Sequence, residues 1–362
     1  MSLTYQSNGG AAINEKIREA IADGSRCIQI RGNYEIEQTI VIPSDFTVLL
    51  DNCKLRMADY TFCNMFTNEG CLSETGHTPE GADHNIVIEG HGNVVLDGGN
   101  FNGLAECNHG KDGRPHISVN NLLLFVNVDG FQIRGLHIRN QRWWAMNFVF
   151  CRHGRIQEID FRSDDRMIDE NGNLVHGLSW EKYHGHDSVY LKNSDGIDLR
   201  TGCHDIVIEN ITGFTEDDTI ALTALNASTE KLHHVEGLPT GIHNVIIRNV
   251  NAASFCAIIR LLNQGGPKLY NILIDGVMDA SADVEYLERG ESGVRIGDPY
   301  EGYGGRQPYP DETFHITVRN VYSRAKAAVR IAGNVKKLTL DNIAAFDGGE
   351  KIVFDKTATI SD

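Results

Sequence analysis

The chain has 362 residues, of which 49 are acidic and 33 are lysine or arginine, giving a formal net charge of −16 at pH 7. Nucleic acids and anionic membrane surfaces bind basic footprints, so this charge argues against both as partners. The 37 glycines against 8 prolines indicate many tight turns, and no linker-like run interrupts the sequence. We therefore expect one domain over residues 1–362.

The first ten residues, MSLTYQSNGG, lack the basic and apolar regions of a signal peptide, and no apolar run has the length of a membrane span. The eight cysteines are scattered without a CxxC pair. This pattern favours free thiols in a reducing compartment over disulfides or a zinc site. We expect a cytoplasmic protein, although a cleaved leader would leave no trace here.

The segment GAAINEKIREAIADG, residues 10–24, predicts an amphipathic helix that ends in Gly24. A repetitive β-structure needs such a cap over the open apolar end of its first coil. The apolar positions at helical spacing are Ala12, Ile13, Ile17, Ala20 and Ile21.

Short apolar-polar-apolar phrases then recur, with starts roughly 20 to 45 residues apart, which is the spacing of solenoid repeats. Neighbouring segments are not paired as hairpins through NG or DG turns, so stacked coils explain them better than a large β-sandwich does. An asparagine follows the strand at residues 140, 210, 249, 320 and 342, and is expected to form a corner ladder. The phrases are HNIVIEG (84–90), GFQIRGLHIRN (130–140), HGRIQEIDFRS (153–163), CHDIVIENITG (203–213), IHNVIIRNVNA (242–252), LYNILIDGVMD (269–279), FHITVRNVYS (314–323) and VKKLTLDNIAA (335–345).

Three aspartates gather in NSDGID (193–198) and EDDTIAL (216–222). Asp195 and Asp217 are 22 positions apart, so we expect them at equivalent corners of consecutive coils, about 4.7–4.9 Å apart. In a straight strand Asp217 and Asp218 would face opposite sides, so the chain is expected to bend and expose both. Such close carboxylates repel, so at least one should have a raised pKa and keep its proton. Glycosidic bond cleavage needs this pairing of an acid with a base.

These two motifs resemble the N-T-D and G-D-D catalytic motifs of glycoside hydrolase family 28, the polygalacturonase family. IEGHGNVVLDGG (88–99) and RNQRWWAMNF (139–148) are similar to an early coil and a later strand of that family. The resemblance implies an all-β, right-handed parallel β-helix with an N-terminal capping helix, acting on a pectin-like carbohydrate.

The resemblance also implies an inverting mechanism, with Asp217 as the acid and with Asp195 and Asp218 holding the attacking water. Inversion would place the carboxyl of Asp217 roughly 6.5 to 9.5 Å from its opposing base. Structural turns and a calcium site are alternative roles for these acids, and we interpret Asp198 as mainly structural. No cofactor and no metal are expected.

The family carries G-H-G and then R-I-K after the acid pair, and the two cations hold the substrate carboxylate. One alignment treats residues 224–241 as an inserted loop and places SGVRIGD (292–298) at R-I-K, which retains Arg295. A second alignment assigns that role to Arg260 in AIIRLL. Both lack the lysine, which puts simple homogalacturonan cleavage in doubt.

Further substrate-binding candidates come from aromatic and basic residues near the motifs. Trp144 is a candidate for stacking on a sugar ring or for a core position. His186 and Lys192 precede the first acid, and His234, with His233, is on the inserted loop.

Long segments rich in glycine, histidine and polar residues break the coil rhythm, and we expect them to wall a cleft around the acids. These segments are residues 100–118, 164–188, 224–241 and 298–312.

Two other functions on the same fold remain open. A lyase or epimerase would use a basic or tyrosine side chain to remove a proton α to a carboxylate. A non-catalytic carbohydrate-binding β-helix of the tailspike kind would use the acids at corners only.

Overall fold

The computed structural model describes residues 4–99, 116–141, 144–163, 167–168, 174–175, 195–284, 287, 289–303 and 305–362. Its parallel strands form two large sheets that wind around one apolar core as a right-handed parallel β-helix. Successive coils place their strands side by side, so each sheet grows along the axis of the helix. The fold class expected from the repeats is confirmed.

The first sheet, called the long-strand sheet, has 12 strands. Eight of its strands correspond to the eight repeated segments found in the sequence. The strands are β1 (Cys27–Ile36), β3 (Thr47–Met57), β5 (Asp83–His91), β6 (Val95–Asp97), β8 (Val128–Arg139), β10 (Arg152–Arg162), β14 (His204–Thr215), β16 (Ile242–Ser254), β18 (Leu269–Asp279), β20 (Thr313–Ser323), β22 (Asn334–Ala345) and β24 (Thr359–Ser361).

The second sheet, called the short-strand sheet, has ten strands. A separate antiparallel pair joins β11 (Met167–Ile168) to β12 (Leu174–Val175). The strands of the short-strand sheet are β2 (Ile40–Ile42), β4 (Phe66–Asn68), β7 (Leu123–Val126), β9 (Trp144–Val149), β13 (Asp195–Arg200), β15 (Ile220–Ala224), β17 (Ala257–Asn263), β19 (Ser292–Ile296), β21 (Ala327–Ile331) and β23 (Glu350–Phe354).

The asparagine corners bend the strands of the long-strand sheet. Asn210 and Asn249 have φ angles of 59° and 55°, in the left-handed region that asparagine tolerates. The side-chain Nδ2 of Asn249 donates to the side-chain Oδ1 of Asn210, and Asn342 donates in the same way to Asn320 at 2.7 Å. These contacts confirm the expected ladder between coils.

The N-terminal helix α1 (Gly9–Ala22) covers the first coil, as the sequence predicts. Ile13 and Ile17 are buried in the core that the strands enclose. The helix approaches the next segment very closely, because a Cβ on Gly10 would lie 2.4 Å from the carbonyl oxygen of Gln38. Glycine is therefore required where the helix begins.

Successive side chains on a strand of the short-strand sheet alternate between the core and the outer face of the sheet. On β13, Ile197 and Leu199 join the central core, so Asp198 and Arg200 lie on the outer face. The pairing of successive strands aligns one outer row along the helix axis. That row consists of Asn147, Asp198, Ala221, Arg260, Arg295 and Arg330.

The remaining elements are short. The inserted loop carries helix α2 (Ser228–Leu232). Among the described helices none is both long and apolar enough to cross a membrane. The seven cysteines of the described part of the chain are free thiols. Single turns of 3-10 helix lie at Glu69–Leu72, Thr75–His77, Pro79–Gly81, Ile117–Val119 and Ser281–Asp283.

Candidate active site

The acid pair lies in the turn between β14 and β15, where the chain leaves one sheet and enters the other. The backbone carbonyl of Asp217 accepts hydrogen bonds from the hydroxyls of Thr215, at 2.8 Å, and Ser254, at 2.6 Å. The carboxylate of Asp217 accepts the backbone N–H of Asp218 at 3.0 Å. These bonds hold the bend that the sequence predicts, and they point Asp217 towards solvent.

Asp195 begins β13, and its position corrects the expected stacking. Ile197 pairs with Ile220, so positions 23 apart are aligned, and Asp195 lies beside Asp218 rather than Asp217. The backbone N–H of Gly196 donates to the backbone carbonyl of Asp218 at 2.9 Å. A Cβ at Gly196 would lie 2.5 Å from the carbonyl oxygen of Thr219. The glycine of NSDGID thus permits the close approach of the two acidic coils.

Asp218 is buried, with 1% of its surface exposed, which corrects the expectation that both acids of the pair are exposed. One carboxylate oxygen accepts the backbone N–H of Ala257 at 3.1 Å. The other lies 3.2 Å from the guanidinium of Arg260. Arg260 therefore offsets the cost of placing this carboxylate out of water.

Three carboxyl groups of the cluster, those of Asp195, Asp198 and Asp218, have raised pKa values, as expected for clustered carboxylates. Burial raises the pKa of Asp218 to about 7, and the charge of Asp217 adds to the rise while Arg260 opposes it. Burial also raises the pKa of Asp198 to about 7, against the opposing effect of Arg200. The pKa of Asp195 lies well above its usual range because of burial and the three neighbouring acids. Asp198 thus shares the raised pKa values of the cluster, and its mainly structural role stays a prediction.

We expect Asp198→Asn to remove a pH-dependent part of the stability. Because the pKa of Asp198 is raised in the folded protein, its contribution to the free energy of unfolding is complete below about pH 4 and is lost as the pH rises through about 7. The free energy of unfolding of the wild type minus that of the variant should therefore decrease between pH 4 and 7, by no more than about 1.4 kcal/mol per pH unit. Denaturant titrations at several pH values measure this slope, and a value of wild type minus variant that increases with pH contradicts it.

An open cleft of about 460 Å³ begins at Asp217 and extends over the following coils. Its cations come from the outer row of the short-strand sheet and from the neighbouring turns, in a protein whose net charge is strongly negative. The lining residues are Asp217, Phe255, Cys256, Arg260, Arg289, Glu291, Arg295, Tyr300, Tyr303, Lys326 and Arg330.

The two arginines that the sequence offered as alternatives both line this cleft. Arg260 pairs with Arg295 on the adjacent strand, and each guanidinium binds a different oxygen of Asp298. Asp298 is fully buried beneath them. Each alignment therefore identified one member of a pair of arginines, and Arg330 continues the row on the next strand.

Sequence reasoning missed several residues of this wall. Tyr300 and Tyr303 come from the predicted loop 298–312, and their hydroxyls lie 3.2 Å apart. The guanidinium of Arg260 lies 5.1 Å from the ring centre of Tyr303, which orients that ring. The recurring tyrosines and glycines of DPYEGYGG were the available signal, because such loops carry exposed aromatic side chains.

Arg200 is a second buried cation that the sequence did not single out. Its guanidinium donates to Asn147 at 3.0 Å and to Glu230 at 2.8 Å, and it lies 3.4 Å from Asp198. It also lies 3.8 Å from the ring centre of Trp144, whose own exposure is only 8%. The ring of Trp144 is therefore covered by Arg200 and has little exposed surface, and its role in sugar stacking stays a prediction.

The predicted histidines of the inserted loop do not reach the cleft. His234 contacts the ring edge of Phe150 and lines a separate cavity of about 190 Å³. His233 is buried, and burial lowers its pKa to about 4. His186 and Lys192 lie outside the described residues, as do most of the predicted wall segments 100–118 and 164–188.

The donor atoms at the acid pair do not fit calcium. Within the described ranges, one group of metal-ligand side chains comes together, formed by Asp217, Asp218 and Cys256 with one atom of each within 4.8 Å of the others. Calcium takes six to eight oxygen ligands, whereas this group includes a thiol. Burial and the two acids raise the pKa of Cys256 well above its usual range, so it remains a thiol.

A parallel β-helix with carboxyl groups gathered at one end of an open cleft has the arrangement of a glycosidase, which cleaves with paired acids. Residues 33–243 match the family described as glycosyl hydrolases family 28. The chain belongs to this family, and the protein is a glycosidase.

Solved structures with the same fold are distant in sequence. The polygalacturonase from Erwinia carotovora ssp. carotovora is 12% identical with a TM-score of 0.56, over 100% of this chain and 98% of that one. The exopolygalacturonase from Thermotoga maritima is 14% identical with a TM-score of 0.52, over 95% and 87%. A tailspike mutant of E. coli bacteriophage HK620, solved with a pentasaccharide, is 12% identical with a TM-score of 0.56, over 99% and 64%. The comparison with curated proteins finds no significant match.

Proposed function

We propose that this glycosidase hydrolyses a carboxylate-bearing, pectin-like polysaccharide with inversion at the anomeric carbon. The observation that carries the proposal is the position of Asp217 at the head of a cleft whose other charged walls are mostly cationic. Of the three motif aspartates, Asp217 lines this cleft, while Asp195 and Asp218 are buried beside it.

The proposed roles follow from these positions. Asp217 protonates the leaving oxygen of the glycosidic bond, and a water attacks the anomeric carbon from the opposite face of the ring. A second carboxylate accepts the proton of that water as the bond to the leaving oxygen breaks. The raised pKa values of Asp195 and Asp218 mean that protons are shared within this cluster, and the base acts in the state in which its carboxyl is ionised.

Asp195 is the better candidate for the opposing base. Inverting enzymes hold acid and base roughly 6.5 to 9.5 Å apart, so that a water fits between base and sugar. Oxygens of Asp217 and Asp218 lie within 4.8 Å of each other, which is closer than that range. We therefore assign Asp218 a supporting role next to Asp217, in an ion pair with Arg260. Asp195 is the proposed base that accepts the proton of the attacking water.

We propose a negatively charged substrate because cations outnumber acids in the lining of the cleft. The five cations are Arg260, Arg289, Arg295, Lys326 and Arg330, and the two acids are Asp217 and Glu291. The lysine of the family's R-I-K motif is absent, and we propose that the arginine row takes its place. A guanidinium binds a carboxylate with two parallel hydrogen bonds, so this row suits an acidic sugar. Tyr300, which is 50% exposed, offers an aromatic face to the same chain.

Arg295→Gln tests the charge of the substrate. We expect the KM for an acidic polymer to rise about tenfold or more, because a hydrogen bond to a charged group contributes about 1.5–3 kcal/mol. The KM for the same polymer with its carboxylates esterified should hardly change. Arg319→Gln, in a surface ion pair on β20, is the matched control. Equal losses on both polymers contradict carboxylate recognition by Arg295.

A panel of acidic and neutral polysaccharides, assayed for reducing ends, tests the proposed function itself. Hydrolysis releases reducing ends without the absorbance of a new double bond, which a lyase would produce. NMR of the first product gives the anomeric configuration and hence inversion or retention. Binding without turnover on every polymer would instead favour a carbohydrate-binding role. The cytoplasmic location stays a prediction from the cysteine pattern.

A further inference from the structure

The outer face of the short-strand sheet is covered on the N-terminal side of the acids. On β7, Leu123 and Phe125 point into the central core, while Leu124 and Val126 point outward and yet are completely buried. They belong to a second apolar cluster, with Val149, Phe150 and Val235. Val235 comes from the inserted loop, so this loop lies over the outer face of the earlier coils.

A buried ion pair fastens the same loop beside the acids. Glu230 of α2 binds Arg200 at 2.8 Å, and the two side chains are only 2% and 6% exposed. Arg200 belongs to β13, the strand that begins with Asp195. Separating a buried pair leaves an uncompensated charge and is strongly unfavourable. The cover is therefore a fixed part of the fold and not a loose lid.

The opposite side of the acids is open. Starting from Asp217, the lining residues of the cleft lie on later coils and reach Arg330, while the outer row on the covered side consists of the buried Asn147 and Asp198. A polysaccharide lying along the helix axis can thus extend in one direction only. On the other side, among the residues that the structure describes, the inserted loop covers the outer face and none of the cleft-lining residues lies there.

We infer that the enzyme acts at the end of a polysaccharide chain, because the inserted loop closes the substrate groove next to Asp195 and Asp217. The terminal sugar occupies the closed side, and the rest of the chain lies in the cationic cleft. This inference rests on the proposed function. It adds that Glu230 and Val235 act as specificity-determining residues without touching the reacting atoms.

The wild-type enzyme provides the first test. The substrate is polygalacturonate of graded chain length or, where that polymer is not cleaved, the acidic polymer of the panel that releases most reducing ends. At a fixed mass of polymer well below saturation, the initial rate should double when the mean chain length is halved, since the number of ends doubles. One small product should accumulate from the first minutes, and the viscosity should hardly fall. A rate independent of chain length, with a ladder of intermediate products, overturns the inference while leaving hydrolysis intact. Absence of new reducing ends on every acidic polymer of the panel counts against the proposed function, and against the inference with it.

Glu230→Gln tests the role of the loop, with Glu236→Gln as its matched control. Glu236 is on the same loop, but its side chain is 93% exposed. Loosening the cover should raise the ratio of viscosity loss to reducing ends by several fold for Glu230→Gln and leave the control unchanged. Thermal unfolding of both variants shows whether the fold persists. A folded Glu230→Gln protein with wild-type products overturns the role of this ion pair, and the chain-length experiment decides the chain-end inference independently.

Discussion

Asp217→Asn is expected to lower kcat/KM on a natural polysaccharide by about 10²–10⁴-fold, the usual contribution of a general acid. The loss should be much smaller on an aryl glycoside with an activated leaving group, because such a group departs without a proton. The comparison of the two substrates measures proton donation and not folding. Asp217 suits this test since its side chain lines the cleft, whereas its backbone carbonyl makes the bonds that hold the turn.

Asp195→Asn and Asp218→Asn provide the contrast, since both should slow the natural and the activated substrate alike. Asp205→Asn, on the surface at the start of β14, is the control and should leave both rates unchanged. If Asp217→Asn is equally slow on both substrates while remaining folded, Asp217 is not the general acid.

Arg260→Met is expected to lower the free energy of unfolding by about 3–5 kcal/mol, because it removes one partner from a buried charge cluster. Its side chain is 11% exposed and contacts Asp218 and Asp298, which would be left without this cation. Its loss should also raise the pKa of Asp218 further, since Arg260 at present opposes the effect of burial. Denaturant titration measures the change in stability.

Arg319→Met is the matched control for that experiment. Arg319 also pairs with an aspartate, but its side chain is 46% exposed, and solvent screens such pairs. Little change in stability is expected. If Arg260→Met were equally harmless, Arg260 would not compensate the buried carboxylates, and its place in the cleft would reflect substrate binding alone.

The sequence predicted the fold well because its signals are local and repeated. Each coil carries its own apolar alternation, and each corner asparagine meets the next along the axis, as Asn249 and Asn210 do. The helix predicted at 10–24 is observed at Gly9–Ala22 for the same reason, since its apolar stripe needs only the first coil. Of the predicted wall segments, 298–312 is described except for residue 304 and contributes Tyr300 and Tyr303 to the cleft, whereas 224–241 covers the outer face of the earlier coils.

The arrangement within the site depended on tertiary contacts. A difference of 22 positions suggested that Asp195 stacks on Asp217, yet the strand register aligns positions 23 apart, because the bend at the acid pair takes up one residue. That shift buries Asp218 against Arg260 and leaves Asp217 at the cleft. A shift of one residue in the strand register changes which of the two acids lies at the cleft. A sequence motif does not specify this register.

By itself, the sequence determined a solenoid of parallel coils with a helical cap and placed three acids within one or two coils of each other, since periodicity and turn chemistry act over a few residues. Only the tertiary structure decided that Arg260 and Arg295 act together, through Asp298, and that Glu230 reaches Arg200 across the sheet. These contacts join residues 3 to 38 positions apart along the chain. Ion pairs of this kind form because buried charges must find partners, and the partner is set by the folded backbone, not by the local pattern.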